Sequence, residues 1–563
     1  MKAARLLLAA LIVATLLPYP LALATPAGQA VAIDTPGSDA AYASLTLADG
    51  TVAVAGVACD ADAFIAFTGP RGKAVYIFGN YSSPPSEIRR EKESIAAALA
   101  PSPGGVVAVG SYSWRPFIAK ATRDGIGKMV VVQAAGKYRV NGGFQAVARV
   151  GGGYLAAGHV RLFQREVFEG WKRVGDSILV ALFDGNLDLK AAYLLDVKGG
   201  GEEQVYSLAQ GEDGAVYLAG STSSGYGDAL VVKLTAQGKP EWAVRLSSPR
   251  KGVTSDAALS AAPRQGGGVV VTGYYTVSEG YSEVGFVAAL KPTGEAEWVK
   301  ASQPLPLTRI TAVTALPGGY AVFLESVDAV HASRANYIVE LDAEGRPRGA
   351  YRVSVPGLLD YFEARSMSYR GGRLLLVGAS HTRISKTSTG LVAAAVLTAW
   401  PPPGNLTYPY RQWTLLKINI QGSGALQGSF AKTPPSISKA EITVKQVDLK
   451  LTQVSPPPQK CSAELVITQA ETQASAKPPQ EGGQKQAPQE GAQQNPGENT
   501  GRSRGSNKTT SGGTRQAPGQ AAPSEPPQQS HAPSIVVPAA VIAVTGVAIT
   551  AALILLKKRS TTW

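Results

Sequence analysis

The segment Gly214-Ala-Val-Tyr-Leu-Ala-Gly220 shows the pattern on which the fold of this chain depends. A turn glycine is followed by a short run rich in Val, Leu and Ala and then by a second glycine, which is typical of a buried β-strand entered from a tight turn. The element recurs at intervals of 48–61 residues, with turn glycines at Gly50, Gly105, Gly153, Gly214, Gly268, Gly319 and Gly372. In the sixth copy Glu325 interrupts the pattern at the final glycine.

Each copy contains four short runs with β-strand composition. In the fourth copy these are residues 205–209, 215–219, 229–234 and 241–246, separated by turns and by one polar loop. No copy contains a convincing crossover helix, so the four strands should form an antiparallel meander. Seven repeats of such a meander predict an all-β fold, a seven-bladed β-propeller over residues 25–420.

Two stretches carry a resemblance to a known repeat. Asp228-Ala-Leu-Val-Val-Lys-Leu-Thr-Ala-Gln-Gly238-Lys-Pro-Glu-Trp242 and Gly285-Phe-Val-Ala-Ala-Leu-Lys-Pro-Thr-Gly294-Glu-Ala-Glu-Trp298 resemble the seven-bladed β-propeller repeat of secreted prokaryotic proteins. The Gly-x-x-x-Trp ending is also distantly similar to the repeats of quinoprotein enzymes. The resemblance implies a fold that hosts many functions, and we interpret Trp242 and Trp298 as packing residues between blades.

Quinoprotein activity is not expected from the sequence. Those enzymes resemble eight-bladed propellers with an adjacent cysteine pair and a calcium site, whereas this chain has seven copies, and its two cysteines, Cys59 and Cys461, stand apart. We therefore predict no cofactor, no metal ion and no catalytic residue. The two cysteines could pair, because a closed ring brings its first and last blades together, but two unpaired cysteines are equally compatible with the sequence.

The two ends of the chain predict its location. Residues 1–24 have a basic start, an apolar core and a small-x-small site, as in a signal peptide. Residues 534–556 are uncharged and long enough for a transmembrane helix, and the basic tail 557–563 should stay in the cytoplasm. The net charge of +13 includes these basic ends, and the rest is spread without a basic patch, so nucleic-acid binding is not expected. We predict a single-pass cell-surface protein with its N-terminal domain outside.

Two segments lie between the repeats and the membrane helix. Residues 421–470 predict an accessory β segment or hairpin, with strands at 441–454 and 463–468; they could pack on the propeller, form a small module, or pair with the terminal blade. Residues 471–533 are rich in Gln, Pro and Gly and contain no large apolar side chain, so they predict a disordered stalk. Possible glycosylation sites are Asn80, Asn405 and Asn507.

A binding face is predicted from the loops between the second and third strands of each copy. These B–C loops differ in length, whereas the other turns are short and alike, and they are rich in aromatic residues, as binding loops on a rigid scaffold often are. The candidate binding residues are Tyr112, Trp114, His159, Trp171, Tyr226, Tyr275, Tyr281 and His381.

We therefore predict a membrane-anchored protein that binds an envelope glycan or protein through this variable-loop face. Two alternatives stay open: a scaffold subunit of an envelope or membrane complex, and an extracytoplasmic hydrolase, lyase or oxidoreductase. Enzyme activity is uncertain and less expected than binding, because no pair of catalytic carboxylates can be nominated.

Overall fold

The apolar run after each turn glycine forms the second strand of a four-stranded antiparallel sheet in the computed structural model. In the fourth copy this strand is Val216–Thr222, and its first four side chains are fully buried. The run is apolar throughout because neighbouring sheets cover both of its faces. The four strands predicted for this copy are confirmed, each to within three residues at either end.

The structure describes residues 28–35, 39–59, 61–79, 94–134, 138–166, 170–198, 201–222, 227–248, 255–277, 283–302, 307–328, 333–354, 361–383, 389–402, 405–408, 413–418, 430–431, 435–447, 449–455, 463–469 and 471–473. The chain divides into two compact units, Met1–Gly482 and Gly483–Trp563, and all described residues belong to the first.

The first strand, β1 (Gly28–Asp34), precedes the repeats. Blade 1 consists of β2 (Ala40–Thr46), β3 (Val52–Ala58), β4 (Asp62–Gly69) and β5 (Gly72–Phe78). Blade 2 consists of β6 (Ile95–Ser102), β7 (Gly105–Tyr112), β8 (Arg115–Thr122) and β9 (Gly125–Ala134). Blade 3 consists of β10 (Tyr138–Val150), β11 (Gly153–Glu166), β12 (Gly170–Phe183) and β13 (Leu189–Val197).

Blade 4 consists of β14 (Glu203–Gln210), β15 (Val216–Thr222), β16 (Asp228–Leu234) and β17 (Pro240–Ser247). Blade 5 consists of β18 (Ala257–Pro263), β19 (Val269–Thr276), β20 (Glu283–Leu290) and β21 (Ala296–Ser302). Blade 6 consists of β22 (Leu307–Leu316), β23 (Gly319–Asp328), β24 (Ser333–Asp342) and β25 (Pro347–Ser354). Blade 7 consists of β26 (Tyr361–Arg370), β27 (Arg373–Arg383), β28 (Thr389–Ala399) and, from the other end of the chain, β1.

The ring is closed by the N-terminal strand. β1 pairs antiparallel with β28 over six residues, from Gly28 opposite Thr398 to Ile33 opposite Ala393, and so becomes the outer strand of blade 7. The prediction of a seven-bladed propeller of four-stranded antiparallel sheets is confirmed.

The glycine that ends the repeated element lies where two strands approach closely. A Cβ atom on Gly110 would collide with the carbonyl oxygen of Ile95 on the neighbouring inner strand. The register corrects the sequence interpretation of the sixth copy, because Leu324 pairs with Ile310 at the glycine position. Glu325 therefore does not replace that glycine; it follows it, one residue nearer the loop.

Among the described residues the hydrophobic core forms seven large clusters, one at each seam between neighbouring blades, and a small eighth cluster of Ala40, Val57 and Ala379 between blades 1 and 7. Trp242 and Trp298 lie at two of these seams, as predicted. The indole Nε1 of Trp242 donates a hydrogen bond to the carbonyl oxygen of Pro292 in the next blade at 2.8 Å, and Nε1 of Trp298 donates to that of Ala343 at 3.0 Å. The two indoles thus join blade 4 to blade 5 and blade 5 to blade 6.

After blade 7, the described residues form eight further short strands. They are β29 (Asn405–Tyr408), β30 (Trp413–Ile418), β31 (Phe430–Ala431), β32 (Ser436–Lys439), β33 (Ile442–Gln446), β34 (Leu449–Gln453), β35 (Glu464–Gln469) and β36 (Glu471–Gln473). Strands β30, β31, β32, β33 and β34 pair with the outer strands of blades 6, 5, 4, 3 and 2 in that order, and β35 pairs with β1 of blade 7. We call strands β30 to β36 the belt.

The belt passes once around the propeller. Its last strand, β36, pairs with β29, which pairs with the first belt strand β30, so the end of the belt lies beside its beginning. Among the described residues, only blade 1 has no fifth strand. The strands predicted at 441–454 and 463–468 are belt strands. The first is divided in two, because the pairing with blade 3 ends at Gln446 and the pairing with blade 2 begins at Leu449.

Within the described part of the chain, no helix is long and apolar enough to cross a membrane. The predicted signal peptide, stalk, membrane helix and cytoplasmic tail lie outside the described residues apart from 471–473, which form β36.

Candidate functional site

Each of the seven innermost strands contains a β-bulge at an equivalent position. A bulge leaves one residue out of the ladder and re-aims its side chain, here toward the central channel. The seven residues are Tyr42, Ala97, Gln145, Tyr206, Leu259, Thr311 and Arg365, and all of them line one cavity. We call this set the bulge ring. It lies toward the B–C loops, because each bulge is opposite the glycine position near the end of the second strand.

The cavity inside the bulge ring has a volume of about 480 Å³ and two chemically different sides. Blades 6 and 7 contribute a polar arc, consisting of Arg309, Thr311, Glu325, Glu363 and Arg365. Blades 2 to 5 contribute the apolar residues Ile95, Ala97, Phe144, Val205 and Leu259, which we call the apolar arc. The same blades also contribute four uncharged polar residues, Ser111, Gln145, Tyr206 and Tyr274. All charged side chains among the described lining residues belong to the polar arc.

The arginines of the polar arc are held by glutamates and stacked on tyrosines. Arg365 Nη2 lies 2.7 Å from Glu363 Oε2, and its guanidinium carbon lies 5.8 Å from the ring centroid of Tyr42. Arg309 Nη2 donates to Glu283 Oε1 at 2.7 Å, and its guanidinium lies 4.7 Å from the ring centroid of Tyr274.

Each arginine therefore has a paired charge and a fixed orientation.

Glu325 is the carboxyl group of this site with an unusual protonation state. Burial, together with the neighbouring charge of Glu363, raises the pKa of Glu325 to about 7. Its Oε1 accepts a hydrogen bond from the backbone N–H of Ala364 at 3.2 Å and lies 3.5 Å from the hydroxyl of Thr311. Near neutral pH a large fraction of Glu325 is thus protonated and can donate a hydrogen bond into the cavity.

Tyr206 is the most exposed aromatic residue among the described residues, with 38% of its surface accessible. It belongs to blade 4, across the channel from the polar arc of blade 7, and its hydroxyl donates to Oε1 of Gln204 at 2.5 Å. Its aromatic face is therefore available to a ligand in the cavity.

Tyr112 and Trp114 lie beside the channel, around the B–C turn of blade 2. Tyr112 is half-buried and packs on the core between blades 1 and 2, and burial raises its pKa. Trp114 has a positive φ of 61°, and its ring lies 5.9 Å from the guanidinium carbon of Arg161. Neither residue lines the cavity of the bulge ring.

His159 is engaged in contacts between blades 3 and 4. Its Nδ1 lies 2.6 Å from the carbonyl oxygen of Glu203, so this nitrogen carries the proton and donates. Its Nε2 lies 3.9 Å from Oδ2 of the buried Asp176. Trp171 is placed only by its backbone, which pairs with Arg165 in β11. These contacts give His159 a structural role at the seam.

The remaining candidates are Tyr226, Tyr275, Tyr281 and His381, and the structure describes only part of this set. Tyr275 is 2% exposed and belongs to the core between blades 4 and 5, and burial raises its pKa to about 12, so it is a packing residue rather than a binding residue. The backbone of His381 pairs with Tyr361 in blade 7. Tyr226 and Tyr281 lie outside the described residues.

The other sequence-based candidates are placed only in part. Cys59 is disulfide-bonded, but Cys461 lies outside the described residues, so their pairing stays a prediction. Asn405 begins β29, whereas Asn80 and Asn507 are not described.

Within the described residues, no group of three or more His, Cys, Asp and Glu side chains is arranged to hold a metal ion.

Sequence reasoning missed the bulge ring and the polar arc. A signal existed, because each bulge residue precedes the turn glycine of its copy by seven to nine residues. Glu325 was visible as the break in the sixth copy, but its place in the channel depends on the register of β22 and β23. The paired arrangement of Glu325 and Glu363 depends on the packing of blade 6 against blade 7.

No family model matches the sequence, and no curated protein matches it. Among solved structures, the chain is similar to a protein of unknown function from Dyadobacter fermentans, at 11% identity over 66% of this chain and 98% of that one, with a TM-score of 0.36. It is also similar to an α-L-arabinanase of Penicillium chrysogenum complexed with arabinobiose, at 12% identity over 66% and 98% of the two chains, with a TM-score of 0.34.

A third similar structure is the WD40 domain of SCAP from fission yeast, at 10% identity over 69% of this chain and 90% of that one, with a TM-score of 0.32. At these identities and TM-scores the likenesses indicate nothing about function. The propeller assignment rests on the seven blades and their strand pairing.

Proposed function

We propose that this chain is a membrane-anchored cell-surface protein that binds a neutral envelope glycan within its bulge ring. The observation that supports this most is the two-sided cavity, in which the polar arc lies across the channel from Tyr206 and the apolar arc. A sugar ring has hydroxyl groups around its edge and an apolar C–H face that packs on aromatic rings. The hydroxyls would meet Glu325, Thr311 and Arg365, and the C–H face would meet Tyr206.

The charge balance of the cavity favours a neutral ligand over a charged one. Arg365 is paired with Glu363, and Arg309 is paired with Glu283. With Glu325 protonated, these four groups cancel, so neither an anion nor a cation would find an unpaired partner. A cavity of about 480 Å³ also has the size of a small-ligand site.

Surface anchoring is the second part of this proposal, and the sequence supports it. A signal peptide at 1–24 would send the chain across the membrane, and an uncharged helix at 534–556 would hold it there. Lys557, Lys558 and Arg559 would keep the tail in the cytoplasm. The stalk 471–533 would carry the propeller away from the bilayer and present the bulge ring.

An extracytoplasmic hydrolase is the alternative that a specific observation favours. Glu325, with a pKa of about 7, lies near Glu363, and a protonated carboxyl beside a second carboxyl group is the arrangement required for acid–base hydrolysis. The scaffold alternative has no such feature in the channel, because a docking surface for a protein would need a broad exposed apolar patch.

Glycan binding by the purified full-length chain in detergent tests this proposal. An array of neutral and acidic glycans, followed by calorimetric titration, should identify a neutral ligand. Tyr206→Ala should weaken its binding about fivefold, because one aromatic stacking contact contributes on the order of 1 kcal/mol. Val444→Ala is the matched control, since Val444 is 43% exposed on the outer rim and should bind unchanged.

Each other outcome would reject the binding proposal. Equal binding by the two variants would show that the ligand does not bind in the bulge ring. Release of reducing ends that disappears in Glu325→Gln would show a hydrolase. Crosslinking of a specific protein instead of a glycan would favour the scaffold reading.

A further inference from the structure

The belt joins the blades through backbone pairing with six of the seven. Strands β32 to β35 each lie at the end of their sheet, so each is hydrogen-bonded along one edge only. The outer strand beneath, such as β9 or β13, is bonded along both edges. A force on these belt strands therefore meets fewer hydrogen bonds per strand than a force on the outer blade strands that they cover.

Belt side chains also fill the seams between blades. Ile437 packs at the seam of blades 4 and 5, Ile442 at that of blades 3 and 4, and Leu449 at that of blades 2 and 3. Val454 packs at the seam of blades 1 and 2, and Leu465, which is 4% exposed, belongs to the core between blades 7 and 1. Pulling the belt away would therefore uncover apolar surface at one seam after another.

Backbone contacts between the strands add fixed points. The amide of Ala440 donates to the carbonyl of Ala243 at 2.9 Å, and that of Val454 donates to Met129 at 3.0 Å. Nζ of Lys73 on β5 donates to the carbonyl oxygen of Leu465 at 2.8 Å, which ties the belt to blade 1. The belt is thus held to every blade by at least one described contact.

The chain reaches the predicted stalk directly from β36. We propose that the belt is a strap that takes up mechanical tension. A pull transmitted from the membrane anchor acts first on β36 and β35, and belt strands detach before any blade loses a strand. This inference rests on the proposed anchoring, because the anchor supplies the pull. It adds a mechanical function that preserves the bulge ring while the tether is under tension.

Magnetic tweezers on the full chain test the strap. One handle is a tag inserted between Gly151 and Gly152, an exposed turn of blade 3 with no atom within 4 Å of an added Cβ. The other is inserted between Gly512 and Gly513 in the predicted stalk, so that no force crosses the membrane helix. Reductant is present, because Cys59 is disulfide-bonded and its predicted bridge to Cys461 would stop the extension before β34.

The expected first events lengthen the tether in steps that total about 200 Å, the extended length of residues 413–473, and they reverse when the force is lowered. A first event much longer than about 200 Å, with no plateau there, would mean that blades unravel together with the belt and would overturn the proposal.

Two variants of β35 identify the contact that bears the load. Leu465→Ala should lower the force of the first event, because Leu465 is buried at a seam. Ile467→Ala, two residues along the same strand and 36% exposed, should leave it unchanged. Equal forces for the two variants would reject the seam contacts as the load-bearing element. The measurement uses no glycan and no membrane, so its failure leaves the binding proposal standing, and the converse also holds.

Discussion

Replacing Gly110 by alanine should destabilise the propeller strongly although it adds one methyl group. An added Cβ would collide with the carbonyl oxygen of Ile95 on β6 and would lie 2.8 Å from Cε1 of Phe117 on β8. A side chain can rotate away from a clash, but the Ile95 carbonyl is part of the backbone ladder. The inner strand would have to shift, and Ala97, the bulge residue of blade 2, would shift with it.

The cost follows from the kind of clash. Overpacking a buried site costs about 1–3 kcal/mol when side chains can adjust, and a backbone clash belongs at the upper end. The better strand propensity of alanine recovers about 0.5–1 kcal/mol. We expect a net loss of about 2–3 kcal/mol in the free energy of unfolding, measured by guanidinium unfolding of the full chain with tryptophan fluorescence.

Gly152→Ala is the matched control. Gly152 is exposed, no atom lies within 4 Å of an added Cβ, and its φ is not positive. The free energy of unfolding of this variant should stay within about 0.5 kcal/mol of the wild-type value. Equal midpoints for Gly110→Ala and Gly152→Ala would refute the reasoning, since they would show that β6 can move at no cost. In blade 6 the equivalent position is Leu324, which pairs with Ile310 on β22 and with Tyr337 on β24.

Three further predictions concern protonation, a seam and the cysteines. Burial raises the pKa of three carboxyl groups to about 7, those of Glu203, Asp256 and Glu325. Because these pKa values exceed those of the unfolded chain, the folded state binds extra protons, and the free energy of unfolding should fall as pH rises from about 5 to 8. Glu325→Gln should make this pH dependence less steep in denaturant titrations, and an unchanged pH dependence would contradict the prediction. Trp242→Phe should lose about 1 kcal/mol with its hydrogen bond to Pro292, seen as an earlier guanidinium midpoint, and an unshifted midpoint would show that the bond is not needed. Cys59→Ser and Cys461→Ser should each cost about 2–5 kcal/mol in the absence of reductant, and the double variant should cost no more than either; additive losses would mean that the two cysteines are not bonded to each other.

The blades could be predicted from the sequence because their information is local. The turn glycine, apolar run and second glycine of the second strand lie within seven residues. The other runs with β-strand composition lie in the same copy. The packing role of Trp242 followed from the resemblance of its repeat to a known propeller repeat. Strand composition and turn chemistry act over a few residues, so one copy carries its own prediction.

The candidate site could not be predicted in this way. Of the predicted binding residues that the structure describes, Tyr275 packs into a seam between blades and His159 is hydrogen-bonded to Glu203, so these two do not face the cavity. The polar arc depends on bulges that shift the register by one residue, and a shift of one residue turns a side chain from one face of a strand to the other. Composition does not show such a shift.

The sequence by itself determined the number of blades, their strand order and the all-β class, since each of these follows from a repeated local pattern. Tertiary structure alone decided that β1 closes blade 7, that the segment after the repeats encircles the ring as the belt, and that Glu325 meets the bulge ring. The physical reason is sequence distance. Gly28 and Thr398, or Leu465 and Ile33, become neighbours only when the ring closes, and no local propensity records that closure.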